Sequence, residues 1–345
     1  VLRQPRGSGM SPRVLVSMVT FNSARHLDPC LASLKAQSYR DLAVSLWDNA
    51  SADVTQEIVR QHADLFDTTH FSKNNVGFCS AHNRLIASNA SDYVLVLNPD
   101  VVLDARFIET LLLAMDNDSS AGSATGKLWR WPMGAASPEE KILDTTGIYF
   151  TPNQRHLDRG SGEPDQGQYE TKEYVFGASG AAVFYRRAML DAVKAGQEYF
   201  DEAFFAYRED ADLAWRAQWL GWRCLYVPQA TGYHARLVLP ERRAKLPAQI
   251  NMHSLKNRFL MRVKNMDAGT YGRFFLPITL RDTAALAYVC LCEWSSLRAA
   301  PLFFKALPHA WSIRKALRVR RRVPPAELRS WFSWRPVSKP VSGPT

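Results

Sequence analysis

What the sequence lacks narrows it first. No G-x-G-x-x-G follows a strand-like run and no G-x-x-x-x-G-K-[ST] occurs. Dinucleotide-binding and P-loop chemistry are therefore not expected. Cysteine is scarce: Cys30, Cys79, Cys224, Cys290 and Cys292 form an odd, scattered set without metal-ligand spacing. They read as reduced, buried thiols of a cytosolic chain. Long apolar runs are also missing. Pro277 and Arg281-Asp282 interrupt the stretch 274–294, and residues 283–292 give only about ten uninterrupted positions against the ~20 that a spanning helix needs. Residues 1–12 contain Gly, Pro and Arg without an apolar core, so they read as a flexible leader and not as a signal peptide. No recognised nucleic-acid-binding module is present.

What is present is a chain of 345 residues, 46% hydrophobic, typical of a folded protein of one large or two ordinary domains. Its net charge of +10 is unevenly spread. From Pro240 onward there are 20 Lys and Arg against 5 Asp and Glu, so that the part before Pro240 is mildly acidic. A catalytic body over 13–239 is expected to carry a basic helical extension over 240–330 and a flexible tail over 331–345. Such an extension suits nucleic acid, anionic lipid or a phosphorylated acceptor.

Strand-like apolar runs at 13–21, 42–47, 70–71 and 93–97 alternate with helical patterns, which predicts an α/β fold with a mainly parallel sheet. Each run ends in polar residues: Asn22, Asp48, Asn75 and Asp100. Individually these are ordinary loop residues. Four in succession at one sheet edge suggest a nucleotide crevice, since ligands collect outside the carboxyl ends of such strands. Asp100 closes the sequence Leu97-Asn98-Pro99-Asp100, which is either a turn or an oxygen ligand for a hard divalent cation beside phosphate. Asp53 is placed to cap the next helix. A further strand is expected over 175–185, its paired glycines Gly177 and Gly180 allowing close backbone or ligand approach. Another is expected over 222–227, followed by a loop to His234, which reads either as a structural histidine or as a ligand.

Glu209, Asp210 and Asp212 fall in the first turn of a helix, where the dipole favours acids. For Asp212 a partner in Arg216 one turn on is the simplest account. Glu209 and Asp210 follow the aromatics Phe204, Phe205 and Tyr207, whose desolvation tunes a carboxylate toward general-base work.

The ordered set Val19-Thr20-Phe21-Asn22-Ser23, Asp48-Asn49-Ala50-Ser51, Asn74-Asn75-Val76-Gly77-Phe78 with Asn83, Leu97-Asn98-Pro99-Asp100, Gly177-Ala178-Ser179-Gly180, Glu209-Asp210-Ala211-Asp212-Leu213 with Arg216, and His234 resembles inverting family-2 glycosyltransferases of the GT-A fold, especially bacterial rhamnosyltransferase-like members. That resemblance implies a Rossmann-like mixed sheet flanked by helices. It also implies a sugar nucleotide donor, dTDP-rhamnose or a UDP-sugar, bound by Thr20, Asn22, Asp48, Asn75, Asn83 and Asn98. Asp100, with His234 as a further ligand, would hold Mg²⁺ or Mn²⁺, Asp210 would be the base with Glu209 in reserve, and Gly177, Ala178, Ser179 and Gly180 would face the acceptor. Asn98 departs from the fuller motif, which has an acid there, and this bears on metal affinity. The implied acceptor is a polyprenyl-pyrophosphate-linked glycan in cell-envelope assembly.

After Pro240, basic and apolar residues alternate through Lys256, Arg258, Arg262 and Lys264, and a cluster follows at Arg318, Arg320, Arg321 and Arg322. One reading is a helical appendage with a solvated basic face. The other, favoured for its aromatics beside Lys and Arg, is docking on an anionic membrane surface, which would make the protein cytoplasmic and peripheral at the inner face of the cell membrane. Nucleic-acid binding through the basic tail, or a non-catalytic carbohydrate-binding role, are the competing readings. The intact Asp100, Asp210 and His234 argue against the latter.

Overall fold

A computed structural model describes residues 12–131, 141–236 and 247–341. The expected leader, up to residue 11, and the expected boundary at Pro240 lie outside the described residues. The first half runs β1 (Val14–Thr20), α1 (Ala24–Lys35), β2 (Leu42–Asp48), α2 (Thr55–Gln61), β3 (Thr68–Phe71), α3 (Phe78–Ala87), β4 (Tyr93–Leu97), β5 (Val101–Leu103), α4 (Phe107–Asp116) and β6 (Ala121–Arg130). Three short strands follow: β7 (Leu143–Thr145), β8 (Ile148–Phe150) and β9 (His156–Asp158). Then come β10 (Glu173–Val175), β11 (Ala182–Arg186), α5 (Arg187–Val193), α6 (Glu209–Trp219) and β12 (Arg223–His234). The remainder is α7 (Ala248–Asn265), α8 (Ala268–Arg273), α9 (Phe275–Cys292), α10 (Ala299–Arg320), α11 (Pro325–Arg329) and β13 (Lys339–Pro340).

The main sheet has the order β13-β10-β12-β6-β11-β4-β1-β2-β3. Strands β4, β1, β2 and β3 are parallel, and β11 lies antiparallel between β4 and β6. The apolar runs of β1 and β4 sit at its centre, where Val14, Leu15, Val16, Val94, Leu95, Val96 and Leu97 are fully enclosed. Strands covered on both faces read as unbroken apolar sequence and not as alternation. This is the mixed, mainly parallel sheet flanked by helices that was expected.

Three expectations need correction. Residues 175–185 are not one strand: β10 and β11 belong to different places in the sheet, and the chain crosses between them at 176–181. Gly177 forces that crossing close to a helix, because a Cβ there would lie 2.4 Å from the Ala214 Cβ. Strand β12 does not stop at Val227 but continues to His234, with a register shift between Tyr226 and Thr231. That irregularity absorbs Pro228, which has no N–H to give the ladder. Residues 331–341 are not a loose tail: Trp331 and Phe332 are buried, Phe332 packs on Phe150 and Trp215, and β13 pairs with β10.

The basic helices also differ from expectation. On α7, Lys256, Arg258, Arg262 and Lys264 are all buried. Lys264 is enclosed between Asp201 (2.5 Å) and Asp212 (2.9 Å), while Arg258 and Arg262 both reach Asp282 on α9. In the later cluster, Arg321 lies 3.7 Å over the Trp219 ring and Arg320 donates to the Ala192 carbonyl. Helix α9 is continuous through Pro277, Arg281 and Asp282. It is long and apolar enough to cross a membrane by length and composition, and little of it is buried. Cys30, Cys79 and Cys224 are buried as expected, but Cys290 and Cys292 on α9 are exposed.

Candidate active site

The polar ends of β1 and β2 meet first. Asp48, fully enclosed, accepts from Thr20 Oγ1 (3.1 Å), Ser51 Oγ (2.5 Å), Ser51 N (3.0 Å) and Gln56 Nε2 (2.8 Å). Asn22 adopts a left-handed φ of 50° and its side chain accepts from Ala52 N at 2.8 Å. Ala50 is left-handed as well, at 61°. Non-glycine residues held there are costly by about 1–3 kcal/mol and cluster at functional sites. Asn75 accepts from Gly77 N at 2.9 Å and so shapes the loop before α3. Asp53 was expected to cap α2, but the N-cap position is Val54; Asp53, one residue earlier, accepts from Thr55 N at 3.0 Å and so shapes the turn into the helix.

Asn83 is a correction. Its oxygen accepts from Tyr199 N and Phe200 N, and its amide donates to Phe200 O and Glu202 Oε1. With its hydrogen-bonding groups so engaged and the residue buried, it ties α3 to the chain ahead of α6 and has nothing left for a donor.

The β5–β12 pairing brings the next two predicted residues together. His234 is opposite Val101, and Ala235 N donates to the Asp100 carbonyl at 2.9 Å. As a result His234 Nε2 lies 3.3 Å from Asp100 Oδ2. The other ring nitrogen, Nδ1, is 2.8 Å from Asp144 Oδ2 on β7, and Arg236 bridges Asp144 (3.0 Å) to Asp158 (2.7 Å). Burial opposes a charged imidazole, but Asp100 and then Asp144 outweigh it and raise His234 to about 9. Asp100 Oδ1 is enclosed with no hydrogen-bond partner. A carboxylate oxygen without a partner beside a histidine nitrogen, with the second nitrogen fixed from behind, is a donor set that fits a divalent cation. Asn98 keeps the corner in place by donating its N–H to Ala181 O at 2.8 Å.

The two candidate bases separate by environment. Glu209 is buried, Oε2 has no partner, and burial reinforced by the neighbouring Asp210 pushes its carboxyl up to about 8. Asp210 is half-buried. Burial raises its carboxyl too, while Gly180 N (2.9 Å) and Ala211 N (2.7 Å) donate to its two oxygens and hold them in place. Of the 177–180 segment, Gly180 therefore touches the candidate base directly. Gly177 O accepts from Ile148 N at 2.7 Å, and Ala178 and Ser179 are buried beside it. Asp212 is buried and pairs with Arg216 at 3.0 Å, as expected.

The loop before α6 is strained and braced. Phe205, Tyr207 and Arg208 have φ of 67°, 72° and 71°. Asn257 on α7 donates to the carbonyls of Phe204, Ala206 and Tyr207 at 2.8–2.9 Å, and His253 stacks on Phe205. From the opposite side Gly77, at φ +87°, lets the Phe205 ring and carbonyl approach, since a Cβ would lie 2.6 Å from the ring. Arg208 reaches His156 Nδ1 at 3.0 Å and Ser254 O at 3.0 Å.

Sequence reasoning missed Asp144, Asp158, Arg236 and Asn257. Asp144 and Asp158 lie in a stretch without periodicity and Asn257 in a helix read as a surface element, so nothing local marked them. Elsewhere, Glu198, Asp201 and His309 bring potential ligand atoms within 4.8 Å of one another. Burial would raise the Asp201 carboxyl, yet Lys264 holds it well below the usual carboxylate range, so its charge is already answered.

Residues 15–193 match glycosyl transferase family 2. The chain is 31% identical over 242 residues, 64% of its length and 75% of the relative's, to the N-acetylglucosaminyl-diphospho-decaprenol L-rhamnosyltransferase of Mycobacterium tuberculosis. Among solved structures it is similar to the mannosyltransferase PcManGT of Pyrobaculum calidifontis in complex with GDP-Man and Mn²⁺ (TM-score 0.52, 18% identity, 90% of this chain and 81% of that one). It is also similar to S. aureus TarS 1-349 in complex with UDP-GlcNAc (TM-score 0.54, 14% identity, 92% and 85%). The GT-A-like sheet and the matched segment agree: this chain is a glycosyltransferase and belongs to glycosyl transferase family 2.

Proposed function

We propose that the protein transfers L-rhamnose from dTDP-rhamnose, with inversion, to a hydroxyl of a lipid-diphosphate-linked glycan in cell-envelope polysaccharide assembly. The observation that carries this is that Arg236, paired with Asp144 behind His234, also feels the charge of Asp210, so that the Asp100–His234 pair and the half-buried, raised-pKa carboxylate Asp210 belong to one polar cluster. The 31% identity to a mycobacterial rhamnosyltransferase whose name specifies a diphospho-decaprenol acceptor supports the sugar and the acceptor class.

In this reading Thr20, Asn22, Asp48 and Asn75 build the loops that hold the nucleoside, with Asp48 acting by locking Thr20 and Ser51. Asp100 and His234 hold Mg²⁺ or Mn²⁺, which when bound neutralises charge on the departing diphosphate. Asp210 takes the proton of the acceptor hydroxyl as its oxygen attacks the anomeric carbon, and the nucleoside diphosphate leaves from the opposite face. The Gly180 N–H aims Asp210 Oδ2, and the enclosed Glu209 stays protonated near neutral pH, so it does not compete for the proton.

Peripheral membrane attachment, at the inner face of the cell membrane, is part of the same reading. The exposed apolar residues Phe275, Leu276, Leu280, Leu291 and Trp294 on and just after α9 support it better than the basic cluster does, because much of that cluster is engaged within the protein.

The experiment is a thermal-shift and transfer series with dTDP-rhamnose and UDP-sugars, with and without Mn²⁺. Asp100→Ala is expected to abolish metal-dependent transfer and the metal-dependent part of the donor shift, leaving the fold intact. Ligand binding at a hundredfold excess over Kd stabilises by about 2.7 kcal/mol, which such a shift detects. Unchanged turnover with an unmoved Mn²⁺ titration would defeat the assignment.

A further inference from the structure

Helix α7 carries a line of polar groups that the donor and base sites leave unused. Ser254, Arg258 and Arg262 stand four residues apart and so share one face, climbing about 12 Å along the axis. The line begins beside the base: the Ser254 carbonyl and hydroxyl accept from Arg208, the residue just before Glu209 and Asp210. It ends at α9, where Arg258 Nη2 and Arg262 Nη2 share the single carboxylate of Asp282, at 2.7 and 2.6 Å.

One carboxylate thus answers two guanidiniums, and Arg262 Nη1 is enclosed without any acceptor. Burial, and then the charges of Arg262, Arg281 and Arg155, push Arg258 down to about 10 against the pull of Asp282. Buried like charges are costly and call for an anion. Guanidinium forks bind phosphate oxygens in pairs. Arg155 lies in the turn between β8 and β9, next to His156, which meets Arg208. Beside Arg281, α9 turns an apolar stripe to solvent: Leu276, Leu280, Leu291 and, just past the helix, Trp294 are exposed.

We propose that Arg258, Arg262, Arg281 and Arg155 form a binding site for the diphosphate of an amphiphilic acceptor, with its apolar chain along the α9 stripe and its sugar hydroxyl at Asp210. The diphosphate supplies the second anion that Asp282 alone leaves short. The spacing from Arg262 back to Ser254 matches one sugar ring joined to a diphosphate. This rests on the transferase reading of Asp210 but assigns a site that the reading does not contain.

The test is calorimetric titration of the full chain, free of divalent metal, with farnesyl diphosphate, farnesol and inorganic pyrophosphate. Farnesyl diphosphate is expected to bind most tightly. Arg262→Gln should weaken it about tenfold or more, by loss of a charge-assisted pair, and leave farnesol unchanged. Arg262→Lys should recover part of the loss. Arg155→Gln, at a half-buried side chain in the turn between β8 and β9, should weaken farnesyl diphosphate about threefold, which keeps the test open if Arg262→Gln does not fold. Equal affinity of parent and variants, or farnesol binding as well as farnesyl diphosphate, overturns the proposal. Pyrophosphate binding as tightly as the prenyl ester would make it a site for free phosphate, and the lipid assignment would fall. Donor and Mn²⁺ binding measured on the same proteins separates the two readings. Arg262→Gln leaves donor binding at the parental level, whereas failure of the transferase reading appears as donor binding that Asp100→Ala does not change.

Discussion

Two adjacent carboxyl groups at the start of α6 differ because one is half-open and held by two N–H groups while the other is enclosed without a partner. Asp210→Asn is expected to retain donor binding and lose transfer by about 10²- to 10⁴-fold, the usual scale for a general base. Glu209→Gln is expected to cost much less. Transfer rates at saturating donor check this, and the reverse ranking would move the base to Glu209. The same residue predicts a pH dependence of stability. Its folded pKa of about 8 lies above its ordinary value, so the native state binds more protons than the unfolded state between roughly pH 4.5 and 8. Its contribution to stability is fully present below that window and is lost as pH rises through it. Urea midpoints of Glu209→Gln should therefore gain on the parent as pH is raised from 5 to 8, and parallel curves would show that Glu209 is not protonated in the fold.

Much of this candidate site was legible from order alone. Asp100, Asp210 and His234 each follow a recognisable run, and their family motifs stand in sequence. Asp144 and Arg236 were not legible, because their role exists only where β7 and the end of β12 come side by side. Asn83 misled for the opposite reason: a polar residue in a matching motif turned out to be fully engaged in holding its own backbone neighbourhood.

At the scale of elements, α7 decides more than its composition implied. Alternating basic and apolar residues suggested a surface helix, yet each buried cation found a specific acid or carbonyl, and burial with pairing is invisible to periodicity. Strands β1, β2 and β4 were predictable since strands enclosed on both faces have no polar side to disguise them. The continuation of β12 past Pro228 was not, because the bulge that permits it depends on its neighbour β6. Helix α7 also braces the loop before α6, which leads into the candidate base. Asn257→Ala removes three donations to a loop with three left-handed residues, and buried carbonyls left unpaired cost about 1–3 kcal/mol each. The expected outcome is a loss of about 2–4 kcal/mol of stability together with a lower kcat, while donor Kd stays near parental. A variant with parental kcat and thermal midpoint would show that the brace is dispensable.

For the whole molecule, the exposed apolar groups concentrate on the C-terminal helices, with Leu276, Leu280, Leu286, Leu291, Trp294, Phe304 and Trp311 all open to solvent. A surface of that kind associates with lipid mainly by burying hydrocarbon, at about 25 cal/mol per Å². Vesicle binding is therefore expected to persist at high salt. Leu276→Ser with Leu280→Ser and Leu291→Ser should weaken it more than charge reversal at Arg318 and Arg322. Binding that vanishes in high salt, or is untouched by the triple serine variant, would assign the contact to charge instead.

The pairing of β13 with β10, and the packing of Phe332 on Phe150 and Trp215, also bear on how the protein is made. A ribosome delivers β10 more than a hundred residues before it delivers the strand that covers its edge. Throughout that interval the nascent chain presents an uncovered strand and an aromatic face, the two features that most readily recruit a neighbouring chain. Helices α7 to α11 are made in the same interval, so residue 339 is synthesised only after the last of them. Closure of that edge thus depends on the segment 331–341, which is made well after the strand and the aromatic face that it covers.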